Sequence, residues 1–135
     1  MALFRWDDEY TVNVKSMDDQ HRKFFELIDE YYEAIIQRRQ KQGMSKVLRG
    51  LIDYARTHFN EEEKLMQDHK YPGYQEQKTQ HAFFIQKIED LKERFEKDEL
   101  VLSVEVTNFM KSWLQNHIQK VDKKYGDFFN ARGIR

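Results

Sequence analysis

The sequence predicts an all-α fold: an antiparallel up-down-up-down four-helix bundle preceded by an N-terminal arm. Three observations lead there. The 135 residues contain one proline, Pro72, and only five glycines, so little of the chain is built to break helices. Hydrophobic residues make up 39% and charged residues 35%, a balance that suits helices with one buried stripe and one solvated face. Apolar residues recur at steps of three and four through four successive segments. Few valines and threonines argue against an all-β chain. The length suits one domain, residues 1–135, and is enough to bury a core without staples.

The arm runs to about Met17 and carries scattered apolar residues, Phe4, Trp6, Tyr10, Val12 and Val14. The first helix is expected from near Asp18, where Ser16 and Asp19 have capping-box spacing, and its stripe is Phe24, Phe25, Ile28, Tyr32 and Ile35. Gly43 is its expected stop. The second helix is expected over about Met44–Lys70, with Val47, Leu48, Leu51, Ile52, Ala55, Phe59, Leu65 and Met66 inward, and Pro72-Gly73 turns the chain back. A third helix over about Tyr74–Lys97 buries Phe84, Ile85, Ile88, Leu91 and Phe95. The charged stretch Lys97-Asp98-Glu99 reads as a loop. The fourth helix, about Leu100–Tyr125, turns Val106, Met110, Trp113, Leu114, Ile118 and Val121 inward and is expected to end at Gly126. Short connections make sequential helices antiparallel.

Composition narrows the chemistry. A formal net charge of −1 gives no excess of Lys and Arg for a nucleic acid or an anionic membrane. With no cysteine, disulfides, iron–sulfur clusters and thiolate zinc sites are excluded, and any metal must take His, carboxylate or amide ligands. No apolar run approaches the roughly 20 residues of a membrane span. The N-terminus lacks the basic and apolar regions of a signal peptide, so the expected location is the cytoplasm, without membrane insertion.

Polar residues occupy the buried stripes. His21 precedes Phe24 and Phe25 by three and four residues. His58 is in register with Leu51, Ala55 and Leu65, His81 with Phe84, Ile85 and Ile88, and His117 with Met110, Trp113, Leu114 and Val121. One such histidine is usually a satisfied core residue; four, one per helix, are harder to place that way, because buried imidazoles need partners. Glu62 lies one turn after His58 on the same face, and a buried glutamate is costly unless paired or bound to metal. Asp122 follows His117 by five residues, at the margin of the buried face. Glu61 and Glu63 read as solvated charges, and His69 as a surface or turn residue. The set suits iron, manganese or zinc, and suggests two metals rather than one. No histidine has a glutamate three residues before it, which excludes the ferritin-like ligand pattern, and the zinc protease motif His-Glu-x-x-His is absent.

Together these motifs resemble a known family. Trp6, Asp18-Asp19-Gln20-His21, His58-Phe59-Asn60-Glu61-Glu62, Tyr71-Pro72-Gly73-Tyr74, His81, and Trp113-Leu114-Gln115-Asn116-His117-Ile118 followed by Asp122 are similar, in that order, to the bacterial hemerythrins. The resemblance spans nearly the whole chain. It implies an oxygen-binding protein with two iron ions (Fe2+/Fe3+) and an oxo or hydroxo bridge. His21 and His58 would bind one iron, His81 and His117 the other, and Glu62 and Asp122 would bridge both. Dioxygen would be the partner, held in a pocket closed by Leu114, with Phe25 and Phe59 as neighbours; for those two, ordinary core packing accounts for their positions equally well.

The family pattern places a histidine where this chain has Gln77, four residues before His81. Gln77 either offers its amide oxygen to iron or hydrogen-bonds nearby and leaves a position open. In the second case each iron has two histidines, and faster autoxidation or more peroxide chemistry is expected. The leading function is therefore dioxygen binding for storage, delivery or sensing, not catalysis; the alternative is a di-iron peroxidase, oxidase or nitric oxide-reducing enzyme.

Overall fold

The computed structural model describes residues 6–37, 41–98 and 104–135. A short 3₁₀ turn, Asp8–Tyr10, opens the described arm. Then come α1 (Lys15–Ile36), α2 (Lys41–Asp68), α3 (Tyr74–Glu96) and α4 (Val104–Asn116). A π-helical stretch, His117–Asp122, joins α4 to α5 (Lys123–Asn130) without a break, so the three together form the fourth rod of the bundle. α1 packs against α2 and α4, and α2 against α3. The expected all-α four-helix architecture is what forms. Among the described residues no helix is long and apolar enough to cross a membrane.

The helix ends depart from expectation in instructive ways. α1 begins at Lys15, not near Asp18, and Val14 precedes it without a side-chain cap. Ser16 and Asp19 therefore lie inside the helix, and Asp19 pairs with Lys15 at 2.9 Å. Asp18 instead ties down the arm, accepting hydrogen bonds from Val12 N at 2.8 Å and Thr11 Oγ1 at 2.6 Å. Gly43 does not stop α1, which ends at Ile36; it lies within α2. At the other end of α2, Lys70 takes φ 56° and Tyr71 N donates back to Met66 O at 2.8 Å, a closure that Pro72 then prevents from continuing as helix.

Gly126 does not end the fourth rod either. It is buried inside α5, and a Cβ there would stand 2.2 Å from the Val12 carbonyl oxygen. The glycine is needed for close approach of the arm, not for a turn. On α1 the core tyrosine is Tyr31, fully buried, rather than Tyr32, because the stripe advances in threes from Ile28 to Tyr31 and Ala34. Val121 is only half-buried, since the π stretch rotates it off the inner face. Phe4, the start of the fourth helix at Leu100, and the Val106 side chain lie outside the described residues.

The core falls into two apolar clusters. The larger includes Phe24, Ile28, Leu48, Leu51, Phe84, Ile88, Met110 and Leu114. The smaller gathers Val12, Val14, Met17, Met66, Tyr125 and Phe129. Along the chain, His21 falls between Met17 and Phe24, Glu62 between Phe59 and Met66, and Asp122 between Ile118 and Tyr125. The polar side chains thus form a layer that divides the two clusters.

Candidate metal centre

Each rod contributes to this layer. α1 supplies His21, α2 supplies His58 and Glu62, α3 supplies Gln77 and His81, and the π stretch supplies His117 and Asp122. All seven side chains are buried. The i, i+4 spacing of His58 and Glu62, and of Gln77 and His81, places each pair on one helical face. His117 and Asp122 are five residues apart, which in an α-helix would offset them by roughly 140°. The π-helical hydrogen-bond pattern removes that offset by bringing residues five apart into line. Asp122 Oδ1 accordingly lies 3.0 Å from His117 Nε2.

Four Nε2 atoms and two carboxylates converge. His58 Nε2 is 3.1 Å, and His81 Nε2 3.4 Å, from Glu62 Oε1. His21 Nε2 stands 3.2 Å from both Glu62 Oε2 and Asp122 Oδ2. His81 and His117 bring their Nε2 atoms to 3.2 Å of each other. Two sets of donor atoms each lie within 4.8 Å: Glu62, His81, His117 and Asp122 in one, and His21, His58 and Glu62 in the other. Glu62 belongs to both sets, and Asp122 touches one histidine of each.

The opposite ring nitrogens explain the orientation. His58 Nδ1 donates to Gln20 Oε1 at 2.6 Å, His117 Nδ1 to Gln80 Oε1 at 2.7 Å, and His81 Nδ1 to Glu63 Oε2 at 2.9 Å. The acceptors place the proton on Nδ1 and turn the Nε2 lone pair inward, the arrangement of a metal-binding imidazole. Gln20 also donates to Glu61. Glu63 is thus engaged at the site's edge, contrary to its reading as a solvated charge, whereas Glu61 is exposed as expected and makes its polar contact with Gln20. Phe59 stacks on His81 with ring centroids 3.9 Å apart, and Trp113 on His117 at 4.5 Å. Leu114 is buried one turn before His117, and Phe25 packs on Tyr10 at 5.0 Å. His69 stays apart, its ring against Phe129 at 5.7 Å.

Charge reinforces this picture. Burial works against ionised Glu62, yet the neighbouring His58 and His21 hold its carboxyl well below the usual range. Burial and the Glu62 charge push Asp122 up, but His117 and His21 bring it down to about 2. Burial lowers His21, and hydrogen bonds and charge from Asp122 and Glu62 outweigh it, raising it to about 10. Burial holds His58 down. Two ionised carboxylates in a closed chamber call for positive charge, and a proton on His21 supplies only part of it.

The residues fit a pair of metal ions. Glu62 Oε1, Asp122 Oδ2 and Gln77 Oε1 are buried without a hydrogen-bond partner, although imidazoles face the two carboxylates. Buried polar atoms left in this state are rare unless they serve a function or an ion. The donors are imidazole and carboxylate without thiolate, which suits iron.

A family model described as the Hemerythrin HHE cation binding domain matches residues 12–129. The chain belongs to the hemerythrin family. It is 34% identical to a bacteriohemerythrin of Methylococcus capsulatus over 97% of this chain and 100% of that one. It is 28% identical to a myohemerythrin of Sipunculus nudus over 89% of this chain and 88% of that one. A crystal structure of wild-type hemerythrin superposes with a TM-score of 0.88 at 34% identity, covering 93% and 97% of the two chains. The family's cofactor is a di-iron centre, and this hemerythrin domain presents the buried His, Glu and Asp groups for one. Membership bears out the expected class of function, a non-haem di-iron protein that binds dioxygen, and does not favour the enzyme alternative.

Sequence reasoning missed several residues. Gln20, Glu63 and Gln80 orient imidazoles, but nothing in helical periodicity marks them. Tyr125 Oη donates to Glu62 Oε2 at 2.5 Å; burial and the charges of Glu62 and Asp122 push its phenol well above the ordinary value, so the proton stays on it. Phe24, edge-on to His58 with ring centroids 6.0 Å apart, also packs against the site.

Proposed function

We propose that residues 1–135 form one hemerythrin-type domain that holds two iron ions in the buried polar layer and binds dioxygen there for storage, delivery or sensing. The convergence of four Nε2 atoms on two shared carboxylates carries this reading. In it, His21 and His58 serve one ion, His81 and His117 the other, and Glu62 and Asp122 both. The iron pair, when bound, supplies the electrons that dioxygen takes up. The chain's own residues set the conditions. Gln20, Glu63 and Gln80 fix three imidazoles with Nε2 inward. Tyr125 steadies Glu62 through its hydroxyl proton. Leu114, Phe59 and Phe25, all buried, keep water from the chamber.

Gln77 has a different part in this reading. Its Nε2 donates to Asp122 Oδ1 at 2.9 Å, the same oxygen that faces His117. We take the amide to steady a shared carboxylate through Nε2 rather than to bind an ion through Oε1, which is buried without a hydrogen-bond partner. Both ions then have two histidines, and an external ligand can approach either. A cytoplasmic location is part of the proposal, and cell fractionation tests it.

Iron analysis, with optical spectra under nitrogen, in air and under nitrogen again, tests the function. Two irons per chain and a reversible change in air are expected. Fewer than two irons, or no spectral response to air, would overturn it. Gln77→His should slow autoxidation; unchanged oxygen spectra and autoxidation would sink the role given to Gln77.

A further inference from the structure

The four imidazoles are not backed alike. His58 and His117 donate their Nδ1 protons to the neutral amides of Gln20 and Gln80. His21 Nδ1 has no partner. Among the described residues only His81 directs its Nδ1 proton at a carboxylate, Glu63 Oε2 at 2.9 Å. The Glu63 side chain is 16% exposed, so its charge sits close to the site rather than in bulk water. Arg56 and Lys78 line the same groove of about 420 Å³ between α2 and α3, yet among the described residues neither forms an ion pair with Glu63. The direct polar contact of Glu63 is therefore with the imidazole and not with either cation.

We propose that Glu63 is a positioning residue that makes the His81–His117 position the tighter and more readily oxidised of the two metal positions. The physical basis is polarisation. A carboxylate that accepts the Nδ1 proton raises the electron density at Nε2, whereas a neutral amide fixes the ring's angle with little change in donor strength. Glu63 thereby adds a third nearby negative charge on the side where Gln77 contributes only a neutral amide bound to Asp122. The opposite position has no equivalent, because Glu61 reaches His58 only through Gln20.

This proposal rests on the two-metal reading above, and the test separates them. Glu63→Gln keeps an acceptor oxygen and removes the charge; Glu61→Gln is the control. Stepwise Zn2+ binding is measured by calorimetry on the full metal-free chain, and iron reduction potentials on the iron-loaded chain. The zinc-loaded protein, labelled with 15N-histidine, reports the ring protons directly. Glu63→Gln should weaken one zinc step by roughly 10–100-fold, leave the other unchanged, raise one iron potential and shift the His81 Nδ1 proton. Glu61→Gln should leave both steps within about twofold, since it acts only through a neutral amide. Equal weakening of both steps, or no change in zinc affinity and potential, would overturn the role of Glu63. Uptake of a single zinc by the wild-type chain would instead overturn the two-metal reading, and an unmoved His81 Nδ1 resonance in Glu63→Gln would still refute the Glu63 contact.

Discussion

Adding one methyl group at Gly126 tests how the arm locks the polar layer in place. A Cβ at this position would lie 2.2 Å from Val12 O, 3.1 Å from Val12 C and 3.2 Å from Val12 Cβ. Ordinary contact begins near 3.4 Å, so arm and helix must separate by about 1 Å. Neither side gives easily. Val12 is held by Asp18 through a 2.8 Å hydrogen bond, and Gly126 sits between Asp122 and the rest of α5. Overpacking of this kind costs about 1–3 kcal/mol, and the better helix propensity of alanine returns about 1 kcal/mol. Because the clash is with backbone, the upper part of that range applies, giving a net loss of about 1–2 kcal/mol, or roughly 4–8 °C in Tm for a chain of this size. Gly50→Ala is the matched control: it is also in a helix, but no atom lies within 4 Å of its Cβ. It should gain about 0.5–1 kcal/mol, so the two substitutions shift Tm in opposite directions. Thermal unfolding followed by helical circular dichroism reads both. A Gly126→Ala chain as stable as wild type, or stabilised like Gly50→Ala, would refute the close approach of arm and α5.

Other expectations concern the polar layer itself. In metal-free protein, His21, raised from 6.5 to about 10, stabilises the fold below pH 6.5 and loses that contribution as pH rises towards 10. Asp122, lowered from 3.8 to about 2, contributes above pH 3.8 and loses it as pH falls through 2, while His58, held below 6.5, is stabilising only when neutral. Tm against pH should therefore peak near pH 6–7, and a flat alkaline limb from pH 7 to 10 would contradict the His21 ion pairs. Metal uptake should release protons from this cluster, measurable as a buffer-dependent binding enthalpy. Tyr125→Phe leaves Glu62 Oε2 without its phenol donor and should cost about 1–3 kcal/mol in chemical unfolding of the metal-free chain; no loss would argue against the 2.5 Å contact. Glu62→Ala should remove both metals together, since Glu62 belongs to both donor sets; retention of one metal at full affinity would show that it serves a single position.

The sequence by itself determined the four amphipathic rods and the histidine on each buried stripe, because helical periodicity is local and a polar residue in an apolar stripe stands out. It also placed Glu62 through its i+4 step from His58. It could not place Asp122 securely, since in an α-helix a residue five positions after His117 points elsewhere; only the π-helical stretch aligns the two. Gly126 reads as a stop in one dimension and becomes a contact surface once the arm lies across it. Glu63 and Gln80 look like ordinary solvated residues until helices from distant parts of the chain pack and bring them within hydrogen-bond reach of His81 and His117. Gln77 is legible as an inward residue, but which of its atoms meets Asp122 depends on the distance between α3 and the π stretch. Local periodicity decides which residues enter the core. The packing of helices against one another decides which of their atoms meet there.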